Sequence, residues 1–348
     1  MSCNSGELIS CSNIQEGLER QFEGLNGVFT GTGTPLVEFL SSPLNTEGTL
    51  QRQIDAGNGH YRTVELRYQS RILESAVSTS TALSCSGGSQ PCNDSQVYTV
   101  PSAGSSYKWA QTLTALEAQC EDDASFFTRQ VSMAIDAVKR KMETTSWAQA
   151  VALVGKFAST GTTTPIVVQT KNLTTKQYIP DAAEAVRYQM FQNEYYGDVF
   201  AFGGGQTFYD YFSSVLGSVP NTYLGIDLVK MFGGKGIMPF MSYRSAAAFG
   251  NTSDFLTVGK GALQLITFNE YRGANGIRVI DEPTTKYGVI QDPATGLNFD
   301  YFANLDCGTW NFMVKLAHKL VALPNDLFQS GDRLDGVNWI NQFRITNS

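Results

Sequence analysis

The chain has 348 residues, of which 42% are hydrophobic and 16% charged, and its formal net charge is −7. This length is enough for two packed subdomains or one large one, and the acidic balance argues against binding nucleic acid by neutralising phosphates. The sequence contains no run of 18 uncharged apolar residues, so no membrane span is expected. The first residues lack the basic and apolar regions of a secretory signal.

The first 60 residues are rich in Gly, Ser, Asn and Thr and contain only short apolar islands. A short helix is expected from Ile14 to Leu25, and the remainder is expected to be an extended arm. Because such a segment buries little apolar surface by itself, we expect it to be ordered by a partner subunit.

Residues 61–74 alternate apolar and polar side chains, which predicts a strand with one apolar face and one face carrying Arg67 and Arg71. A second strand-like run, 97–100, ends at Pro101 and resumes at 107–109. Together these runs predict a projecting hairpin. A two-stranded ribbon is marginal by itself, so its apolar face is covered either by its own core or by another subunit.

A long helix is predicted from Asp122 to about Phe157, because apolar residues recur there at spacings of one, three and four. The predicted buried stripe consists of Phe126, Phe127, Val131, Ala134, Ile135, Val138 and Met142. The other, solvated side is expected to carry Arg129, Asp136, Lys139, Arg140 and Glu143. The run 144–146, Thr-Thr-Ser, is a weak place where the helix can split.

The elements predicted after this helix are a strand at 165–169, a helix at 180–196, a helix following 203–205, a mixed α/β lobe at 223–280 and β-structure at 285–322. The sequence Asp306-Cys-Gly-Thr309 predicts the turn of a hairpin. His318 falls on the apolar face of the strand that follows, so we expect a core histidine with satisfied hydrogen bonds rather than a ligand.

No catalytic, cofactor-binding or metal-binding residue is predicted. The chain has six cysteines without a CxxC pair, only two histidines, and no GxSxG, HExxH or P-loop motif. The glycines at 203–205 precede a predicted helix and can cradle a phosphate, but a tight turn is favoured because the Lys-Ser/Thr of a P-loop and a convincing preceding strand are lacking. The glycines at 233–236 also resemble a phosphate loop, and a mobile glycine turn explains them equally well. Cys85 and Cys92 bracket a loop and can form a disulfide in an oxidising setting, although free thiols are favoured without a secretion signal.

The order of these parts resembles that of the major capsid protein of tailed bacteriophages, which has the Hong Kong 97-like fold. Three stretches also look like phage capsid sequence: 98–104 (YTVPSAG), 255–273 (FLTVGKGALQLITFNEYRG) and 310–323. The resemblance implies an α+β fold composed of an N-terminal arm (1–60), an extended hairpin or E-loop (61–111), a spine helix and peripheral domain (112–184), an axial domain (185–282) and a return to the peripheral domain (283–348).

The resemblance further implies a virion protein, assembled in the host cytoplasm, that forms pentamers and hexamers with itself around packaged double-stranded DNA. Scaffolding, portal and decoration proteins are further partners that it allows, and it implies no membrane, cofactor or catalysed reaction. In that family the arm and the E-loop lie on neighbouring subunits. Glu65, Arg67 and Arg71 are therefore expected in charged contacts between subunits, individually weak but repeated over a closed shell.

One departure from the family concerns covalent cross-linking, because some members join an E-loop lysine to an asparagine. The first lysine here is Lys108, at the base of the predicted hairpin, so no cross-link at the tip is expected.

The alternatives to a capsid protein are a phage tail or baseplate protein, an encapsulin-like shell protein and a glycine-loop nucleotide-binding enzyme.

Overall fold

The computed structural model describes residues 10–24, 34–42, 45, 63–69, 93–100, 104–112, 123–154, 165–171, 182–192, 195–204, 237–242, 244–269, 272–273, 276–277, 280–322 and 339–347. The helices of these ranges are α1 (Cys11–Gly24), α2 (Pro35–Ser41), α3 (Asp123–Ala152), α4 (Ala182–Gln192) and α5 (Ser245–Phe249). The first eight strands are β1 (Thr63–Gln69), β2 (Asn93–Thr99), β3 (Ser105–Thr112), β4 (Ile166–Lys171), β5 (Val199–Gly203), β6 (Ile237–Met241), β7 (Asp254–Gly259) and β8 (Leu263–Phe268). The others are β9 (Arg272–Gly273), β10 (Gly276–Ile277), β11 (Ile280–Asp281), β12 (Thr285–Gln291), β13 (Asn298–Asp306), β14 (Thr309–Ala322) and β15 (Ile340–Asn347).

Helix α3 is a single unbroken helix of 30 residues, about 45 Å long at 1.5 Å per residue. Its predicted apolar stripe is confirmed, since six of the seven residues are buried and Phe126 is partly buried. The hydroxyls of Thr144 and Thr145 donate to the carbonyl oxygens of Arg140 and Lys141, at 3.1 and 3.0 Å. These bonds keep both threonines within the helix instead of splitting it.

The helix contributes to two hydrophobic cores in turn. Its first two-thirds, from Phe127 to Met142, packs with α1 and strands β12–β14. Its last turns, which include Trp147 and Ala150, pack together with Val154 just after the helix against α2 and strands β5–β8. This continuity through both cores is the structural basis for regarding α3 as a spine.

The predicted solvated side of α3 is wrong at two positions. Lys139 is 2% exposed and Glu143 is fully buried, whereas Arg129 and Arg140 are exposed as expected. Helical periodicity places charged residues outside the buried stripe, but it does not reveal which distant loops and helices pack on that side of α3. Both buried charges have specific partners, described below.

Two described segments of the N-terminal region are helices packed on their own subunit. The predicted short helix is confirmed as α1, whose Ile14 and Leu18 are buried against α3. Residues 35–41, expected to be extended, form helix α2 instead, with Pro35 in its first turn. Its apolar side chains are buried against the subunit's own second core, so no partner is needed to order this segment.

Strands β11, β12, β13, β14 and β3 follow one another in the first large sheet, and β8 pairs with the second half of β14. The predicted hairpin turn is confirmed: Asp306 faces Thr309, and Cys307 and Gly308 have φ values of 47° and 77°. Positive φ at both central residues is the geometry that two-residue hairpin loops require. Strand β3 pairs with β14, so residues 107–109 do not continue the hairpin as predicted.

The second large sheet has the strand order β4-β15-β7-β5-β6. Strand β15 lies in its interior, parallel to β4 and antiparallel to β7. Sheet pairing thus joins the chain's last strand to strands from 166–259, and joins β8 to β14. These pairings cross the predicted boundaries near 185 and 283, and the division into peripheral and axial domains stays a prediction.

His318 is buried, as expected, but the expectation that its hydrogen bonds are satisfied is wrong. Its side chain is on the buried face of β14, and neither ring nitrogen has a hydrogen-bond partner at ordinary geometry in the part of the chain described. Burial lowers the pKa of this imidazole, because a charged ring loses its hydration there.

Candidate assembly surfaces

Strands β1 and β2 form a separate antiparallel pair of seven residues each, from Thr63 opposite Thr99 to Gln69 opposite Asn93. This pairing confirms the predicted hairpin strands and extends the second of them to Asn93. Within the described ranges, neither strand joins a larger sheet. Residues 70–92, including Cys85 and Cys92, lie outside the described ranges.

The base of this hairpin is attached to its own subunit. Val100 is 1% exposed and packs with Ile266, Ala317 and Val321. The Tyr98 hydroxyl donates to the carbonyl oxygen of Ala322 at 3.3 Å. The end of β2 is therefore fixed on β14 and β8 of the same subunit.

Gly104 marks a close approach of two backbones just before β3. A Cβ at this position would lie 2.3 Å from the carbonyl oxygen of Leu316 and 2.5 Å from the Cα of Ala317. These two residues are where β14 exchanges its partner β3 for β8. Only glycine allows this approach without moving the backbone, so Gly104 fixes the hairpin base against the switch in pairing.

The predicted contact residues fall partly within the described ranges. Glu65 and Arg67 are in β1, opposite Val97 and Ser95 of β2. Arg71 lies outside the described ranges. Their contact with neighbouring subunits stays a prediction.

Glu143 connects three elements in the interior. Its carboxylate accepts hydrogen bonds from the backbone N–H groups of Leu36 and Val37, at 3.2 and 2.9 Å. It also accepts from Trp147 Nε1 at 2.9 Å and from Ser242 Oγ at 3.2 Å. Burial raises the pKa of Glu143, and these donors oppose that rise. The carboxylate holds the start of α2 and the end of β6 on α3.

Lys139, also on α3, forms a buried ion pair with Asp292 of the loop between β12 and β13. Its Nζ lies 2.9 Å from Asp292 Oδ2 and 3.4 Å from Asp136 Oδ1. Asp292 begins the loop between β12 and β13 and also accepts a hydrogen bond from Thr295 Oγ1 at 2.7 Å. The pair fastens this loop to the spine, which makes Lys139 a structural cation rather than part of a basic surface.

Asp254 is the first residue of β7 and is fully buried. It accepts hydrogen bonds from Arg344 Nη2 at 2.9 Å and from Gln342 Nε2 at 2.7 Å. Both donors lie on β15, so this charge fastens the last strand into the second sheet. In the described part of the chain, no group of three or more His, Cys, Asp or Glu residues is placed to hold a metal ion.

The glycine run at 203–205 is only partly described. Gly203 ends strand β5, which corrects the expectation that no strand precedes this run, and both Gly203 and Gly204 are buried. The carbonyl oxygen of Gly203 accepts a hydrogen bond from the N–H of Ser242 at 2.8 Å. A phosphate-binding loop presents free N–H groups to solvent, and these two residues are packed inside the subunit. The run 233–236 lies outside the described ranges.

Eight large apolar residues are exposed in the described part of the chain: Val97, Tyr107, Met133, Val167, Tyr188, Phe191, Tyr196 and Met241. Three of them, Tyr188, Phe191 and Tyr196, are close together on α4 and the residues that follow it. Sequence analysis predicted the helix at 180–196 but not this surface. The sequence signal that could have indicated this surface is the spacing of Tyr188 and Phe191, which places both aromatic residues on one side of a helix, about one turn apart. No helix among the described residues is both long and apolar enough to cross a membrane.

Comparison with solved structures identifies the fold. A chain of the cyanophage A-1(L) capsid asymmetric unit matches with a TM-score of 0.53 and 13% identity, covering 89% of this chain and 92% of that one. This chain has the α+β capsid fold of the Hong Kong 97 type. The fold predicted from the order of elements is thereby confirmed.

Two further matches have lower TM-scores. The capsid of Myoviridae phage XM1 matches with a TM-score of 0.44 and 9% identity, over 88% of this chain and 95% of that one. The capsid of Ralstonia phage GP4 matches with 0.45 and 8%, over 82% and 84%. Neither a protein-family model nor a curated protein sequence matches the chain.

Proposed function

We propose that this chain is the major capsid protein of a tailed bacteriophage, and that it assembles with itself into the icosahedral head enclosing double-stranded DNA. The observation that carries the proposal is the shared fold, which extends over 89% of this chain and 92% of the cyanophage capsid chain. The match extends over nearly the full length of both chains, which supports a shared fold rather than a single shared motif. This function requires assembly surfaces and no catalysed reaction.

The finer proposal concerns how copies meet. The chain forms pentamers and hexamers, with scaffolding, portal and decoration proteins as further partners. The β1–β2 hairpin reaches a neighbouring copy from its fixed base at Tyr98 and Val100. Glu65, Arg67 and Arg71 make charged contacts there. Support for this arrangement is the separate two-stranded sheet, which is joined to no other described strand.

Electron microscopy of the purified full chain, alone and co-expressed with the proteins encoded beside it, tests the proposal. Closed shells of uniform diameter are expected. Tubes or rings instead of shells would identify a tail or baseplate protein, and a strict monomer under every condition would contradict assembly altogether.

A further inference from the structure

Helix α4 and the residues after it display an aromatic patch, defined here as Tyr188, Phe191 and Tyr196. Their side chains are 65%, 49% and 75% exposed. The rings of Phe191 and Tyr196 have centroids 5.5 Å apart. Aromatic side chains carry a large apolar surface, so three of them exposed side by side are unfavourable on a subunit that stays alone in water.

The patch is held in place from behind by the second sheet. Val186 and Met190, on the opposite side of α4, are 2% and 0% exposed. The backbone N–H of Tyr195 donates to the carbonyl oxygen of Met190 at 2.8 Å, and Asn341 Nδ2 lies 3.7 Å from the Met190 sulfur. Helix α4 therefore turns its aliphatic residues inward and its aromatic residues outward.

Tyr195 fixes the loop that presents Tyr196. Its hydroxyl donates to the carbonyl oxygen of Asp198 and accepts from the N–H of Lys260, both at 2.6 Å. Its ring packs on Trp339, with centroids 4.9 Å apart. Arg187 Nη1 adds a hydrogen bond to the carbonyl oxygen of Gly197 at 2.9 Å. A surface held this firmly loses little conformational entropy on binding.

We infer that the aromatic patch is a contact surface for a second copy of this chain within the shell, an inference that rests on the proposed function. Aromatic side chains bury roughly 150–250 Å² each, so covering the exposed parts of these three removes about 400 Å² from water. A stable pair needs about 800 Å² on each partner. The patch is half that size, which fits a subunit held by several neighbours at once and not an isolated dimer.

The surface it meets on the second copy lies at the other edge of the same sheet. Helix α4 packs against β4, one edge strand, where Val167 is 57% exposed. The opposite edge strand is β6, where Met241 is 67% exposed. Closed rings use two different surfaces of each subunit, and a flexible thioether packs well on aromatic rings. We therefore assign the β6 edge around Met241 as the surface that covers the patch.

Two substitutions with a matched control test the patch. Tyr188→Glu and Tyr196→Asp place charges in it, while Met133→Glu changes a residue that is 63% exposed on α3. Shells are counted by electron microscopy and sedimentation, and folding is followed by circular dichroism and thermal midpoint. We expect at least a tenfold loss of shells for both patch variants at an unchanged midpoint. Patch variants that assemble as well as Met133→Glu would overturn the inference.

A charge exchange tests the assigned partner surface. Met241→Lys alone is expected to reduce shells as Tyr196→Asp does, and the double variant Tyr196→Asp/Met241→Lys is expected to recover them at least partly, because opposite charges then face each other. If both single variants are defective and the double variant shows no recovery, the assignment of the β6 edge is wrong.

Assembly of the protein without substitutions distinguishes a failure of this inference from a failure of the proposed function. If it forms no shells under any condition, the proposed function fails. If it forms shells and the patch variants do so equally well, only the role of the patch fails.

Discussion

Helices α3 and α4 both carry apolar residues at helical spacing, but they use them differently. The stripe of α3 is buried in two successive cores. Helix α4 buries Val186 and Met190 and leaves Tyr188 and Phe191 exposed. The difference teaches that apolar periodicity identifies a helix without identifying what covers it. The buried helix organises the subunit, and the half-covered one is available to a partner.

A charge on the buried apolar stripe of α3 is expected to destabilise the subunit more than any other change considered. Val131→Asp places a carboxylate at a position that is 1% exposed and packed within the first hydrophobic core. We expect at least about 4 kcal/mol of destabilisation, enough to prevent folding of the subunit. Met133→Asp, two residues away on the exposed side, is the control and is expected to fold. Soluble expression and circular dichroism compare the two, and a folded Val131→Asp variant would contradict the assigned spine.

The buried ion pair gives the next largest effect. Asp292→Ala leaves Lys139 buried with only Asp136, at 3.4 Å, as a partner, so we expect about 3 kcal/mol of destabilisation. The double variant Lys139→Met/Asp292→Leu removes both charges and is expected to be more stable than Asp292→Ala. Denaturant midpoints of the unassembled subunit measure both. A double variant no more stable than the single one would mean that the pair is not the reason Lys139 is tolerated inside.

Gly104 tests the base of the hairpin. Gly104→Ala forces a Cβ against the backbone of Leu316 and Ala317, and such overpacking costs about 1–3 kcal/mol. Because the clash lies beside β14, both the stability of the subunit and the position of the hairpin should change. Gly308→Ala, whose Cβ meets nothing within 4 Å, is a second glycine for comparison, strained only by its positive φ. Hydrogen exchange of β1 and β2 should rise in Gly104→Ala and not in Gly308→Ala.

His318 makes the interior sensitive to acid. Its pKa is lowered by burial from the ordinary value of 6.5, so the unfolded chain binds a proton more readily than the folded one. Its contribution to stability is complete above pH 6.5 and is lost as pH falls through the lowered folded pKa. The slope for one proton is at most about 1.4 kcal/mol per pH unit. His318→Leu should remove that part of the decline between neutral pH and pH 5, measured by urea unfolding, and equal declines in both proteins would contradict it.

The smallest effect on the subunit is expected in the hairpin. Arg67→Ala changes a residue of the separate β1–β2 pair, which joins no larger sheet among the described strands, so we expect at most about 1 kcal/mol of destabilisation. Assembly should weaken more visibly, because the same contact is repeated in every copy. Shell yield at low and high salt measures this. If Arg67→Ala unfolds the subunit as Val131→Asp does, the hairpin belongs to the core.

Much of the fold follows from local pattern. The α3 stripe, the α1 helix, strands β1, β2 and β4 and the turn at 306–309 were all predictable, because each depends on spacing or turn chemistry within a few residues. The order of these elements was sufficient to predict a Hong Kong 97-like fold. Its assembly surfaces were predicted only as charged residues of the hairpin, and Arg71 among them lies outside the described ranges.

By itself the sequence determined that α1, α3 and strands β1, β2 and β4 form, and which face of the longest helix is apolar, whereas helix α2 was missed. The tertiary structure decided what covers each face. Glu143 and Lys139 have the same charges as exposed neighbours on α3 and become interior only because α2 and the 292–297 loop fold over them. Likewise, nothing local distinguishes Tyr188 from Phe127. Burial depends on contacts between residues far apart in the chain, and those contacts leave the aromatic patch uncovered.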